Sequence, residues 1–325
     1  MLAYIVRRLL YAVPILIGVN LLTFALFFVV NTPDQMARVQ LGDRYVSEEA
    51  IQEWKVQRGY DKPLLFNTAH EGPAAVTETI FFEKSLSLFA LDFGKSDAGR
   101  NIAADIEQRM WPSLAVALPT FAIGIAVNIA FALFVVMFRA SLFDTGAMIL
   151  CVALMSISGV FYVIAGQFFF AKEWNLVPVS GYLSGVDAWR FLLLPVIIGV
   201  ISGIGGGKRL YRTLFLEEAN KDYVRTARAK GVSELTVLFR HILPNGMIPI
   251  LTSVVVVIPS LFMGSLLVES FFGIPGLGSY TLEAIQAQDF AIVRSMVFLG
   301  SVLYIIGLLL TDISYTLVDP RVRLS

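Results

Sequence analysis

Few side chains in this 325-residue sequence are placed for chemistry. His70 and His241 are the only histidines, Cys151 is the only cysteine, and neither HExxH nor CxxC spacing accompanies them. A metal site is therefore not expected, and a lone thiol cannot close an internal disulfide. The string "SGIGGGKRL", Ser202 to Leu210, comes nearest to a phosphate-cradling loop. Its glycine spacing is wrong, however, and Arg209 stands where a Ser or Thr would hold magnesium. The glycines read better as small-residue helix contacts, Gly199 with Gly203 and Gly203 with Gly207. No nucleophile with a neighbouring base and no pair of carboxylates converge, so no catalytic residue is assigned. What stands out is a charged, helix-compatible stretch between two apolar runs, "YVRTARAKGVSELTVLFRHILPN", Tyr223 to Asn245.

That stretch offers shape rather than reactivity. Lys221, Arg225 and Arg228 fall at i, i+4 and i+7 and make a basic stripe, with Val224, Ala227 and Gly231 as a small-residue face beside it. Every residue from Glu217 to Lys230 is compatible with helix, and Gly231 is placed to end it as a left-handed cap. Ser233 then offers an N-cap with Glu234 in the first turn, and a second short helix is expected to run to His241 before Pro244 stops it. Three uses compete. A helix lying on anionic headgroups needs more apolar bulk than Tyr223 and Val224 supply. A solvated connector needs no such order. A rigid two-helix corner with small residues at the contact can dock on a partner and be pushed by it.

The elements that must position this corner are membrane helices. The chain is 57% hydrophobic and 15% charged, with a mean hydropathy of +0.73, far from the mix of a soluble domain. About 20 apolar residues cross a bilayer. Charge-free runs at 9–30, 110–138, 145–171, 191–207, 242–268 and 295–311 predict six spans, the last continuing past Asp312 to about Val318. The first run is longer than a signal-peptide core and lacks a cleavage site, so it is expected to stay as a helix. The glycine-rich end of the fourth is expected to fray.

Net charge is zero, so placement decides orientation. With the N-terminus inside, inner segments carry 13 Lys and Arg, including Arg321 and Arg323, against three in the short outer loops: Lys172, Arg190 and Arg294. Both termini are expected in the cytoplasm. Residues 31–110 form one outer segment of roughly 80 residues carrying 9 basic and 13 acidic side chains. Within it "SEEAIQEWKVQRG" predicts a helix capped by Ser47, while "IFFEKSLSLFAL" is too short and charged to span and is read as an interfacial or core-packing helix. Three regions follow: the tail and first helix at 1–30, a cap at 31–110, and a core at 111–325 holding the corner in its loop 208–245. Glu269 and Asp312 lie at or near membrane depth, where a carboxylate is costly. Each falls near a predicted helix end, which favours interfacial exposure or a structural hydrogen bond over an ion pathway.

At the corner the sequence resembles the EAA loop of bacterial ABC-importer permeases: EAA, three residues, Gly, nine residues, Ile, one residue, Leu-Pro. Aligned on Gly231, Leu243 and Pro244 fall on the Leu-Pro and the triplet falls on Arg225, Thr226 and Ala227. Arg225 replaces Glu, Thr226 replaces Ala and His241 takes the Ile position, departures similar to those of the dipeptide and oligopeptide branch. The resemblance to the first permease of that branch extends along nearly the whole chain, through "YIVRRLLYAVPILIGVNLLTF", "DKPLLFN", "LDFGKS", "LVPVSGY", "ESFFGIPGLG" and "LVDPRVR". The segment "NTPDQMARVQLG" lacks the usual Pro-Gly-Asp, and the stretch from His70 to Ala90 is longer than usual.

The resemblance implies an all-α integral membrane subunit of the bacterial cytoplasmic membrane. It implies a second permease, two cytoplasmic ATP-binding subunits and an extracytoplasmic solute-binding protein as partners, with ATP and Mg bound by the ATPases and no cofactor or nucleic acid in this chain. It implies peptide cargo, with nickel or another solute carried by close relatives. Tyr223, Arg225, Thr226, Ala227, Arg228, Ala229, Lys230 and Gly231 are assigned by it to docking on an ATPase, with Leu243 and Pro244 passing motion into the fifth span. An ion-gradient carrier or a non-transporting anchor are the alternatives from other classes, although no inverted repeat of the carrier type is evident.

Overall fold

The computed structural model describes residues 2–42, 46–139 and 141–318, with side chains for all of these except 2–6, 205–209 and 315–318. Arg321 and Arg323, used above for orientation, and most of "LVDPRVR" lie outside the described residues. The described residues are overwhelmingly helical and form no β-strand. Four helices are long and apolar enough to cross a bilayer: Arg7–Val30, Ile102–Met137, Glu234–Val255 and Phe290–Ser314. Two bent pairs, Leu142–Ser156 with Gly159–Glu173 and Pro259–Phe272 with Leu277–Gln286, raise the number to six when each counts as one span. Ala188–Ile204 is a shorter apolar helix.

Three of the expected runs differ in ways that have local causes. The run 145–171 bends by 88°. Ile157 is extended between Ser156 and Ser158, the Ser156 hydroxyl donates back to the Val152 carbonyl at 2.8 Å, and the Leu154 carbonyl accepts from the Tyr162 hydroxyl at 2.9 Å. The run 191–207 does not fray: its helix continues unbroken from Ala188 through the glycines to Ala219. Gly199 is a close helix contact, since a Cβ there would lie 2.6 Å from the Thr120 methyl, whereas Gly203 has nothing within 4 Å.

The run 242–268 is two structures. Its helix starts earlier, at Glu234, and ends at Val255. A separate tight turn, Pro259–Met263, follows, and Gly264 at φ +67° leads into the short helix Leu266–Phe272. Pro244 was expected to stop a helix and does not. A widened π turn, Leu238–Ile242, precedes it, and the proline falls in the first turn of Leu243–Val255, where its missing N–H and its ring are tolerated.

Two compact units can be distinguished. One contains the chain up to Arg109 together with Tyr280–Leu309. Here the expected helix is present as Glu48–Arg58, with the Ser47 hydroxyl accepting from the Ala50 N–H and Gly59 at φ +67° closing it. Phe24, Phe28, Met36, Ile51, Trp54, Tyr60 and Ile80 form its core, with Phe290 and Val293 packed on it. The stretch around Phe81 therefore packs into this unit in short π and 3₁₀ turns.

The second unit is built from Met110–Ser279 and the end of the last helix. One of its cores gathers Val116, Val163, Leu194, Ile198, Phe272 and Ile274. Beside it Glu269 is 1% exposed. One carboxylate oxygen accepts from the Ser265 N–H at 3.1 Å and the other from the Ser279 N–H at 3.0 Å, while the Ser113 hydroxyl accepts from the Leu277 N–H at 2.8 Å. Of the options left open for Glu269, the structural hydrogen bond is the one found: the carboxylate staples the bend of Pro259–Gln286. Asp312 is half-buried near the C-terminal end of the last helix, as expected, and has a polar partner.

Candidate coupling corner

The long helix Ala188–Ala219 ends at Asn220, whose N–H reaches the Glu217 carbonyl at 3.3 Å. Lys221 is extended, and a new helix runs Asp222–Ala229. The uninterrupted helix expected from Glu217 to Lys230 is thus broken at Asn220 and Lys221. A side chain such as Asn, prone to bond its own backbone, and the favourable Asp222 in the next first turn both suit a restart there.

The end of Asp222–Ala229 is as expected. Gly231 takes φ +75°. Its N–H donates to the Arg228 carbonyl at 2.9 Å, and the Val232 N–H donates to the Ala227 carbonyl at 3.3 Å, the two bonds of a Schellman cap. No atom lies within 4 Å of where a Gly231 Cβ would be, so the glycine answers a backbone demand and not a crowded one. The Ser233 hydroxyl then accepts from the Thr236 N–H at 3.4 Å and starts the helix that becomes Glu234–Val255.

Two faces result. Val224 is 0% and Ala227 7% exposed, and both pack on Leu133, Val136, Phe215, Ala219, Val237, Leu238, Ile242 and Ile250. The small-residue face therefore closes the corner's own core. Gly246 allows the tight approach of Phe215, whose ring would lie 2.5 Å from a Cβ there. Leu243 packs against the same core, while Pro244 is exposed. The outward face carries Arg225, Thr226, Ala229, Lys230 and Gly231, all exposed. Leu235 and Phe239, 59% and 57% exposed, stand four residues apart on the following helix. These two apolar side chains were missed in the sequence, and their i, i+4 spacing beside charged neighbours was the available signal.

The corner is held by polar bonds as well as packing. Arg228 donates from Nε to one Glu234 oxygen at 2.8 Å and from Nη2 to the other at 3.1 Å, across the Gly231 turn, and Nη1 reaches the Ala219 carbonyl at 3.4 Å. One guanidinium thereby joins three helices. The Tyr223 hydroxyl donates to Glu218, with the His241 carbonyl at 3.4 Å as a second acceptor. Burial and that carboxylate push the Tyr223 pKa up, so it stays a neutral donor. Lys221 pairs with Glu218 at 3.4 Å and Arg225 loosely with Asp222 at 3.7 Å, so the basic stripe is partly neutralised. Behind the corner, Arg212 of the long helix grips Asp144 at the start of Leu142–Ser156 with contacts of 2.7 to 3.0 Å.

The corner is an ordered two-helix turn between apolar helices and can pass movement into them; among the described residues no group of side chains is placed beside it for covalent chemistry. Residues 110–324 match the family described as binding-protein-dependent transport system inner membrane component, and residues 1–87 match the N-terminal region of the same class. The chain belongs to this family: it is a multi-pass permease of an ATP-binding-cassette importer. It is 33% identical to a peptide transport system permease protein of Brucella abortus (strain 2308), over 99% of each chain. It is 28% identical to the dipeptide transport system permease protein of Escherichia coli (strain K12) and 31% identical to the di/tripeptide transport system permease protein of Pseudomonas aeruginosa (strain UCBPP-PA14), again over 99% of each.

Proposed function

We propose that this chain forms one half of a peptide translocation pathway in a bacterial cytoplasmic membrane and receives its driving force at the corner 217–244. A second permease completes the pathway, two cytoplasmic subunits bind ATP and Mg, and a solute-binding protein delivers peptide on the outer face. Six crossings, with Ala188–Ile204 counted as one of them and Pro259–Gln286 dipping in and returning to one side rather than crossing, leave both termini and the corner in the cytoplasm, in keeping with the excess of Lys and Arg in the inner segments. The relatives' names support peptide as cargo.

The observation that carries the coupling role is the division of the corner into a sealed inner face and an ordered outer one. Val224 and Ala227 anchor it, and Arg228 ties it to Ala219 and Glu234. A push on Arg225, Thr226, Ala229 or Lys230 therefore moves the ends of Ala188–Ala219 and Glu234–Val255 together, because close-packed interiors transmit displacement rather than absorb it. Ala227 acts by holding this shape and not by touching the ATPase. Leu235 and Phe239 extend the docking surface.

The test is co-purification of the chain with its ATPases, followed by crosslinking from Thr226→Cys and Lys230→Cys and ATP-driven uptake of labelled dipeptide in proteoliposomes. Crosslinks from both positions to the ATPase, and uptake only with ATP, are expected. Uptake by the chain alone, or crosslinks only to an outer-face protein, would overturn the proposal.

A further inference from the structure

The unit made of the chain up to Arg109 and Tyr280–Leu309 contains a cavity of about 570 Å³, within the range of small-molecule sites. Arg294 lies in its wall, 4% exposed. Among the described residues no carboxylate lies within salt-bridge distance of this guanidinium, and its Nε has no hydrogen-bond partner. The acids nearest in the network are engaged elsewhere: Asp289 accepts from the Asp97 and Ile292 N–H groups at 2.8 and 3.1 Å, and Asp97 accepts from Arg58 Nε at 2.9 Å.

The cation is positioned all the same. Its guanidinium carbon stands 5.3 Å from the centre of the Phe28 ring, Lys84 Nζ stands 5.7 Å from that of Tyr60, and the two rings meet edge to face at 5.4 Å. Lys84 and Lys95 also line the cavity, and among the described residues neither forms an ion pair. A buried, unpaired guanidinium is too costly to be a packing choice, since an apolar side chain of that length would fill the same space at no electrostatic penalty. Five N–H donors in a planar fork fit a carboxylate. Glu83, Asp92 and Asp97 also line the cavity and limit the surplus of positive charge, which suits a monoanion or zwitterion better than a phosphate.

We propose that this cavity is a binding site for the carboxylate of a free small molecule, with Arg294 as its anchor and Lys84 and Lys95 as its rim. The site is built entirely from residues of the first unit, and its occupation requires neither ATP nor a partner subunit.

The full-length chain in nanodiscs, in carboxylate-free buffer, is titrated calorimetrically with dialanine, alanyl-alaninamide and acetate. Dialanine is expected to bind, its amide to bind at least about tenfold more weakly, because the guanidinium then loses a charged acceptor, and acetate to compete with dialanine. Arg294→Met is expected to abolish binding while melting no lower than wild type without ligand, and dialanine should raise the melting temperature of the wild type only. If Arg294→Met does not fold, Lys84→Gln decides, and must weaken dialanine severalfold. No binding to the wild type, equal binding of acid and amide, undiminished binding by a folded Arg294→Met, or undiminished binding by Lys84→Gln would each overturn the assignment.

Discussion

Arg228 and Glu234 face each other across the Gly231 turn with both guanidinium–carboxylate contacts formed, at 2.8 and 3.1 Å. The pair is the polar lock between the two helices of the corner. Glu234 is 62% exposed at its side chain, so the pair itself contributes only about 0.5–1 kcal/mol. Its mechanical role is larger, because the same arginine holds the Ala219 carbonyl. Arg228→Ala is expected to lower ATP-driven peptide uptake on the order of tenfold at normal membrane insertion. Arg228→Glu combined with Glu234→Arg should recover part of the loss, which uptake assays on matched amounts of reconstituted importer will read.

At Gly231 the backbone sits at φ +75° with open space around the missing side chain. Gly231→Val is therefore expected to cost about 1–2 kcal/mol through conformation alone and to uncouple ATP hydrolysis from uptake. Gly231→Asn, which tolerates the left-handed region, should retain most of the coupling. Hydrolysis and uptake measured on the same proteoliposomes give the ratio that checks both.

What the sequence made legible was local. Ser47 and Ser233 as caps and Gly231 as a left-handed stop follow from side-chain chemistry within a few residues of each site, and each is found. The apolar runs marked the membrane helices for the same reason. The failures were non-local. Pro244 is carried through a helix by a widened turn, which hydropathy does not register. Val224 and Ala227 looked like a contact face because their smallness was visible and Phe215, nine and twelve residues earlier, was not yet known to cover them. Charged Arg294 was placed in a loop, since burial of an unpaired cation is the reading that composition least supports.

Glu269 receives two backbone N–H groups, Ser265 and Ser279, fourteen residues apart. Glu269→Gln keeps one amide oxygen for two donors and turns an NH₂ toward the other, so one buried N–H goes unmet. The expected cost is about 1–3 kcal/mol, seen as a lower melting temperature of the detergent-purified chain. Corner crosslinks should persist, because the staple lies in a different core from Val224 and Ala227.

Asp144 and Arg212 form a largely buried ion pair joining two apolar segments of the second unit, with side-chain exposures of 11% and 26%. Both nitrogens on one side of the guanidinium are engaged, at 2.7 and 3.0 Å. Asp144→Asn leaves a largely desolvated cation without its counter-charge and is expected to destabilise the chain by about 3–5 kcal/mol. Replacing both, Asp144→Leu with Arg212→Met, removes both desolvation penalties and should recover most of that stability. Uptake should separate the two variants from wild type in a different order. Arg212 lies on the helix that ends at the corner, so the apolar double variant is expected to melt near wild type yet import more slowly. Melting and uptake rising together in the double variant would show that the pair serves stability alone.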